Sequence, residues 1–198
     1  MKTCPSCGAV DDSDNLLLNV YLTCMKCFSS VIAAHVPPEF RSTDLKRIGN
    51  LDSILELIPL KRGVVIHGAI GAGKTRAMWE LLKVAWTANT KVFTPGKNSF
   101  DHQLAWQYKT ENAERWIAEV CDADIVAFDD VTKMRMTERV ESELFGVIDH
   151  RTTHHLPVIV TVQGDSTSIS RAMGDDKSAP LIRRLREFCD LIQVYQSL

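Results

Sequence analysis

Eight consecutive residues, Gly68-Ala69-Ile70-Gly71-Ala72-Gly73-Lys74-Thr75, carry the clearest chemistry in the chain. They satisfy G-x-x-x-x-G-K-[ST], a loop that cradles phosphate. The glycines permit tight backbone conformations, so successive N–H groups can converge on phosphate oxygens. A helix starting near Lys74 adds its positive dipole end. In this pattern Lys74 reaches the β- and γ-phosphates of a nucleoside triphosphate, and the Thr75 hydroxyl ligates Mg²⁺. A Gly-rich turn that binds nothing is the bland alternative. The apolar strand pattern before the loop and the helical pattern after it argue against that.

Such a loop needs carboxylates for Mg²⁺ and for the attacking water. Asp129 and Asp130 follow the apolar run Ile125-Val126-Ala127-Phe128, at a strand's carboxyl end, where ligands collect in open α/β sheets. Asp129 is expected to hold Mg²⁺, largely through water. Asp130 is expected to polarise the water. A complete strand pattern, Lys91 to Thr94, separates the phosphate loop from the acidic strand. By analogy with additional-strand ATPases, the acidic strand is expected beside the P-loop strand.

Four of the six cysteines form Cys4-x-x-Cys7 and Cys24-x-x-Cys27, with 16 residues between the pairs. This spacing favours a tetrahedral structural zinc held by Cys4, Cys7, Cys24 and Cys27. Each pair is expected to form a knuckle, with Gly8 supporting the turn after Cys7. No ligand position is left open, so the metal is not catalytic. A redox pair and unmetallated surface cysteines are the rival readings. A segment this short cannot build its own core, and a metal staple suits it. Its charges, Lys2 and Lys26 against Asp11, Asp12 and Asp14, favour a protein partner over phosphate.

The elements must position these groups. With 198 residues, 45% hydrophobic and 24% charged at a net charge of −2, the composition is that of a globular protein. It gives no sign of a whole-molecule grip on nucleic acid. No apolar run of membrane-spanning length and no secretory h-region occurs, so a cytoplasmic protein is expected. Strand patterns at Val64–His67, Lys91–Thr94, Ile125–Phe128, Val158–Val162 and Leu191–Val194 alternate with helical patterns. The helices are expected at Leu51–Ile58, Thr75–Ala88, about Ser99–Cys121 (anchored by Trp106, Trp116 and Ile117), Arg139–His150 and Leu181–Phe188. The fold class is α/β, a parallel sheet with helices on both faces. Val36-Pro37-Pro38 reads as an extended linker. It divides a zinc-ribbon-like segment, residues 1–36, from a P-loop domain, residues 37–198.

These parts resemble the AAA+ helicase-loader ATPases of the DnaC and DnaI type, and the related IstB transposition helper. The carriers are GAIGAGKT, IVAFDDVTK, LFGVIDHRTTHHLPVIVTVQG and APLIRRLREF, together with the cysteine pairs followed by Val-Pro-Pro-Glu-Phe-Arg. The resemblance implies an AAA+-like P-loop NTPase that binds ATP and hydrolyses it. It places Thr161 and Gln163 at the sensor 1 segment, with Gln163 replacing the usual Asn. It places Arg184 at the arginine finger that reaches a neighbouring subunit's ATP, Arg183 being the adjacent alternative. The chain stops soon after that helix, so no α-helical lid is expected and turnover is expected to be slow. The implied partners are a replicative DNA helicase, single-stranded DNA and further copies of the chain, with no membrane. The rival functions are an IstB-like helper of transposition, a nucleotide-binding module with little hydrolysis, and a zinc-containing nucleoside kinase.

Several other residues draw attention and receive ordinary readings. His67, Cys121 and Cys189 are expected in the core. His154 and His155 read as a solvated loop. Trp79, Trp86, Trp106 and Trp116 read as core or interface. Lys133 and Arg135 read equally as a solvated basic loop or as contacts to single-stranded DNA.

Overall fold

The computed structural model describes residues 2–4, 7–11, 24–85, 90–94, 99–164 and 175–196. Trp86, Asp12 and Asp14 lie outside them.

Five strands form one parallel sheet. They are β4 (Gly63–Gly68), β5 (Val92–Phe93), β6 (Ile125–Phe128), β7 (Val158–Gln163) and β8 (Cys189–Gln193), in the order β5-β6-β7-β4-β8. The α/β class and parallel sheet expected from the sequence are present. The expected adjacency is not. The acidic strand β6 does not touch the P-loop strand β4, because β7 lies between them. The carboxylate must therefore reach the P-loop across β7, which makes the residues of β7 part of the site.

Successive strand residues face opposite sides of the sheet. Val64 and Ile66 of β4, Ile125 and Ala127 of β6, and Ile159 of β7 pack on one side against Met78, Leu81 and Leu82. These last belong to α4 (Lys74–Ala85), the helix that follows the phosphate loop. On the other side, Val65, Val126, Phe128, Val158, Val160 and Val162 pack beneath four helices. These are α5 (Phe100–Lys109), α6 (Ala113–Asp122), α7 (Glu138–Thr153) and α8 (Asp175–Phe188). Burial on both faces explains why the strands read as continuous apolar runs.

Local differences from expectation have local causes. The helical stretch from residue 99 to 121 is two helices, because Glu111 sits at φ 57° between them. Phe100 and Leu104 anchor α5, whereas Trp106 points outward at 63% exposure. Trp116 does pack inward, stacked on Phe100 and edge-on to Phe93. Helix α8 begins at Asp175, before the expected Leu181, and runs through Pro180. A proline reads as a helix start, but here it lies in the second turn and removes one N–H donor there.

The N-terminal part holds a short antiparallel pair, β1 (Lys2–Thr3) with β2 (Val10–Asp11). Helix α1 (Met25–His35) follows, and the expected linker is only partly extended. Val36 is extended and buried, while Pro38 occupies the first position of a short helix, α2 (Pro38–Arg41). Proline is favoured there because its missing N–H would be unpaired anyway. Phe40 stacks on Trp79 of α4 with ring centroids 6.0 Å apart, and Arg76 lies over Phe40. Lys83 donates to the Phe40 carbonyl and pairs with Glu80, both charges being almost fully buried. The N-terminal segment is thus pinned to the helix that carries the phosphate loop.

A short helix α3 (Leu51–Leu55) buries Leu51 and Ile54. Strand β3 (Ile48–Gly49) pairs with β9 (Tyr195–Gln196) just beyond the sheet. Among the described residues, no helix is long and apolar enough to cross a membrane.

Candidate functional site: a phosphate loop and its carboxylates

The loop leaves β4 at Gly68 and enters α4 at Lys74. Gly71 and Gly73 adopt φ of 78° and 90°, a region that strains any residue with a side chain. Gly68 is required for a second reason, because a Cβ there would collide with the Val194 carbonyl. Ala69, Ile70 and Gly71 form the exposed outer arc, with Ile70 at 78% exposure, while Ala72 turns inward and is buried. Lys74 lies beneath the loop, and its Nζ donates to the Gly68 and Ala69 carbonyls at 3.1 and 2.8 Å. Burial pulls its ammonium below the ordinary lysine range. The Asp130 carboxylate opposes that shift, Lys133 adds to it, and Asp129 opposes it.

Asp129 and Thr161 meet the loop from the sheet. Their parity along β6 and β7 is that of Ala127 and Ile159, so both face α4. The Thr75 hydroxyl donates to Asp129 Oδ1 at 2.9 Å. The Thr161 hydroxyl donates to the same oxygen at 2.6 Å and accepts from the Asp130 backbone N–H at 2.7 Å. Thr161 is wholly buried. Its hydroxyl is therefore committed to aiming the two aspartates and is not presented to a ligand. This bridge is how β7 closes the gap between β6 and β4.

Asp130 sits at φ 50°, an uncommon conformation for a residue with a side chain. It opens a tight turn, Val131–Lys133, closed by the Lys133 N–H on the Asp130 carbonyl at 2.9 Å. Thr132 donates to Asp130 Oδ1 at 2.8 Å, and the Gln163 backbone N–H reaches Thr132 at 3.4 Å. Lys133 ion-pairs with Asp130 Oδ2. Lys133 is thus an exposed loop residue that also carries an ion pair. Its partnership with Asp130 was not visible in the sequence.

Arg184 lies apart from this cluster, on α8, where it ion-pairs with Asp149 of α7 at 2.7 Å. Arg183 is more exposed and faces Glu187. Two residues beyond Asp149, Arg151 is completely buried. Its guanidinium donates to the carbonyls of Val120, Cys121, Ala123, Asp124 and Pro157. It binds the C-terminal end of α6 to the loop before β7, and burial lowers its pKa to about 10. The Asp-x-Arg pair thus has two separate jobs, one toward Arg184 and one in the core.

The four N-terminal thiols come together, with all their sulfurs within 4.8 Å of one another. The Cys7 and Cys24 sulfurs are 3.7 Å apart, close to the roughly 3.8 Å edge of a tetrahedron with metal–sulfur bonds of about 2.3 Å. The first pair is the expected knuckle. The Gly8 N–H bonds the Cys4 carbonyl at 2.9 Å, and Gly8 sits at φ 72°. The second pair is not a knuckle. Cys24 caps α1 and Cys27 lies in its first turn, with the Cys24 N–H donating to Cys4 Sγ at 3.3 Å. Hydrogen bonding with Cys7, then with Cys24, pushes the Cys27 thiol up to about 12. Four such thiolates coexist only around a cation, so the residues fit zinc.

A model of the IstB-like ATP binding protein family matches residues 32–197. The chain belongs to that family. The matched residues include the phosphate loop and both aspartates. No curated protein matches the chain. Among solved structures, DnaI matches with a TM-score of 0.58 at 13% identity, over 93% of this chain and 88% of that one. The DnaC helicase loader matches at 0.58 and 14%, over 72% and 86%. AMPPCP-bound DnaA from Aquifex aeolicus matches at 0.58 and 18%, over 72% of this chain but only 44% of that one. At these identities the likeness is one of fold, and the fold of this IstB-like domain is that of P-loop AAA+ proteins.

Proposed function

We propose that this IstB-like protein is an ATPase of the helicase-loader type. The carrying observation is the linked set Thr75–Asp129–Thr161 beside Asp130 and Lys74, all at the carboxyl ends of β4, β6 and β7. Gly68 through Thr75 hold the phosphates, and Lys74 turns from its loop carbonyls to the β- and γ-phosphates. Thr75 and Asp129 would hold Mg²⁺, which would neutralise charge on the phosphates. Asp130 accepts the proton of the attacking water. Gln163, half-buried at the end of β7, orients that water. Arg184 leaves Asp149 to meet ATP in a neighbouring copy. Residues 1–36 form the zinc-binding segment and 37–198 the ATPase domain.

The partner reading rests on the loader-like fold and names a replicative helicase in the cytoplasm. Contact with single-stranded DNA is supported by a cavity of about 370 Å³ lined by Arg135, Arg139 and Tyr108. There the Arg139 guanidinium lies 4.2 Å above the Tyr108 ring, an arrangement suited to bases and phosphates. The family match keeps the transposition-helper role as the second reading. The test is capture of purified replicative helicase by the immobilised protein, with and without ATP. Nucleotide-dependent capture supports the loader role. Capture of a transposase with duplex DNA, and none of helicase, supports the second.

A further inference from the structure

We propose that Lys133 exchanges Asp130 for the γ-phosphate of ATP, and so distinguishes ATP from ADP while releasing Asp130 to act on water. The inference rests on the phosphate-loop reading above and names how that site reads its nucleotide.

The placement of Lys133 carries the argument. It ends a turn whose geometry is held at every point: Asp130 at positive φ, the Lys133 N–H on the Asp130 carbonyl, Thr132 on Asp130 Oδ1, and Gln163 of β7 on Thr132. The turn aims the Lys133 ammonium at Asp130 Oδ2, 2.5 Å away. Both carboxylate oxygens are therefore engaged, one by Thr132 and one by Lys133. The two contacts differ in how readily they exchange. Thr132 is half-buried and tied to β7, whereas the Lys133 side chain is 67% exposed. An exposed ion pair contributes little to stability, so a competing anion can displace it.

The γ-phosphate is that anion. Lys133 and Lys74 are like charges with Asp130 as a shared opposite charge nearby. Lys74 belongs to the β- and γ-phosphates in any loop of this pattern. A doubly charged terminal phosphate set between the two ammonium groups relieves their repulsion and outcompetes one carboxylate. ADP brings no group to that position, so in its complex Lys133 keeps Asp130.

The test is equilibrium binding of Mg-ATP and Mg-ADP to the wild-type chain, Lys133→Met, Lys133→Arg and Lys74→Ala. In Lys133→Met the ratio of ADP Kd to ATP Kd is expected to fall about tenfold, the value of one charge-assisted contact. The ADP Kd is expected to move less than about threefold, and Lys133→Arg is expected to retain most of the ratio. An unchanged ratio in Lys133→Met, or equal weakening of both nucleotides, overturns the inference while the phosphate-loop reading stands. If the wild type binds neither nucleotide, or Lys74→Ala binds as the wild type does, the phosphate-loop reading fails and takes this inference with it.

Discussion

At the scale of single residues, Thr161 shows how one hydroxyl can serve two carboxylates. It holds Asp129 Oδ1 and the Asp130 backbone N–H at once, without exposure to solvent. Thr161→Val keeps the shape and removes both bonds. It is expected to cost about 1–3 kcal/mol, because Asp130 N–H loses its partner. A thermal melt reads that loss, and Thr161→Ser recovers it. Asp130→Asn removes the proton acceptor but keeps the shape. Single-turnover hydrolysis is expected to slow by about 10²-fold or more, with ATP affinity kept or raised, since Lys133 is then free of its carboxylate partner. Equal loss of affinity and rate would mean that Asp130 acts in binding. Neither Thr161 nor Lys133 could have been assigned these contacts from the chain alone. Thr161 was legible as a sensor position through the resemblance, but its bond to Asp129 depends on β7 lying between β6 and β4. The Lys133 pair depends on Asp130 adopting a positive φ, which no residue pattern marks.

At the scale of elements, periodicity was a good guide wherever burial was strong. Ile125–Phe128 and Val158–Val162 are apolar throughout because helices cover both faces, and the strands lie where those runs lie. Strand order was not legible, since parity does not say which strand neighbours which. Trp106 was misleading because an apolar residue at helical spacing need not face the core. Arg151 was missed as a structural residue for the opposite reason: a charged residue reads as surface. Yet it satisfies five carbonyls, at the end of α6, just after it and in the loop before β7. Arg151→Met leaves those carbonyls buried without a donor. The expected loss is about 3–5 kcal/mol, read as a shifted denaturant midpoint. Arg151→Lys recovers little, because one ammonium cannot fork among them. A neutral effect of Arg151→Met would show that water replaces the guanidinium.

At the scale of the whole molecule, three parts must communicate. The cysteine cluster opens α1, α1 leads to Val36 and Phe40, and Phe40 rests on Trp79 of the phosphate-loop helix. Zinc content is therefore expected at one ion per chain, with Cys24→Ser losing it and melting at lower temperature. Full retention of zinc by Cys24→Ser would contradict the four-sulfur site. The other connection runs between copies. Arg184 is paired with Asp149 within its own chain, so its reach to a second ATP needs a neighbour. An ATPase completed by assembly should show itself in the hydrolysis rate per chain against protein concentration, with Arg184→Ala and Lys74→Ala assayed alone and mixed. The expected result is a rate per chain that rises with concentration, two inactive single variants, and activity restored in the mixture, where Lys74→Ala chains supply Arg184 to intact loops. A concentration-independent rate with no activity in the mixture would contradict it.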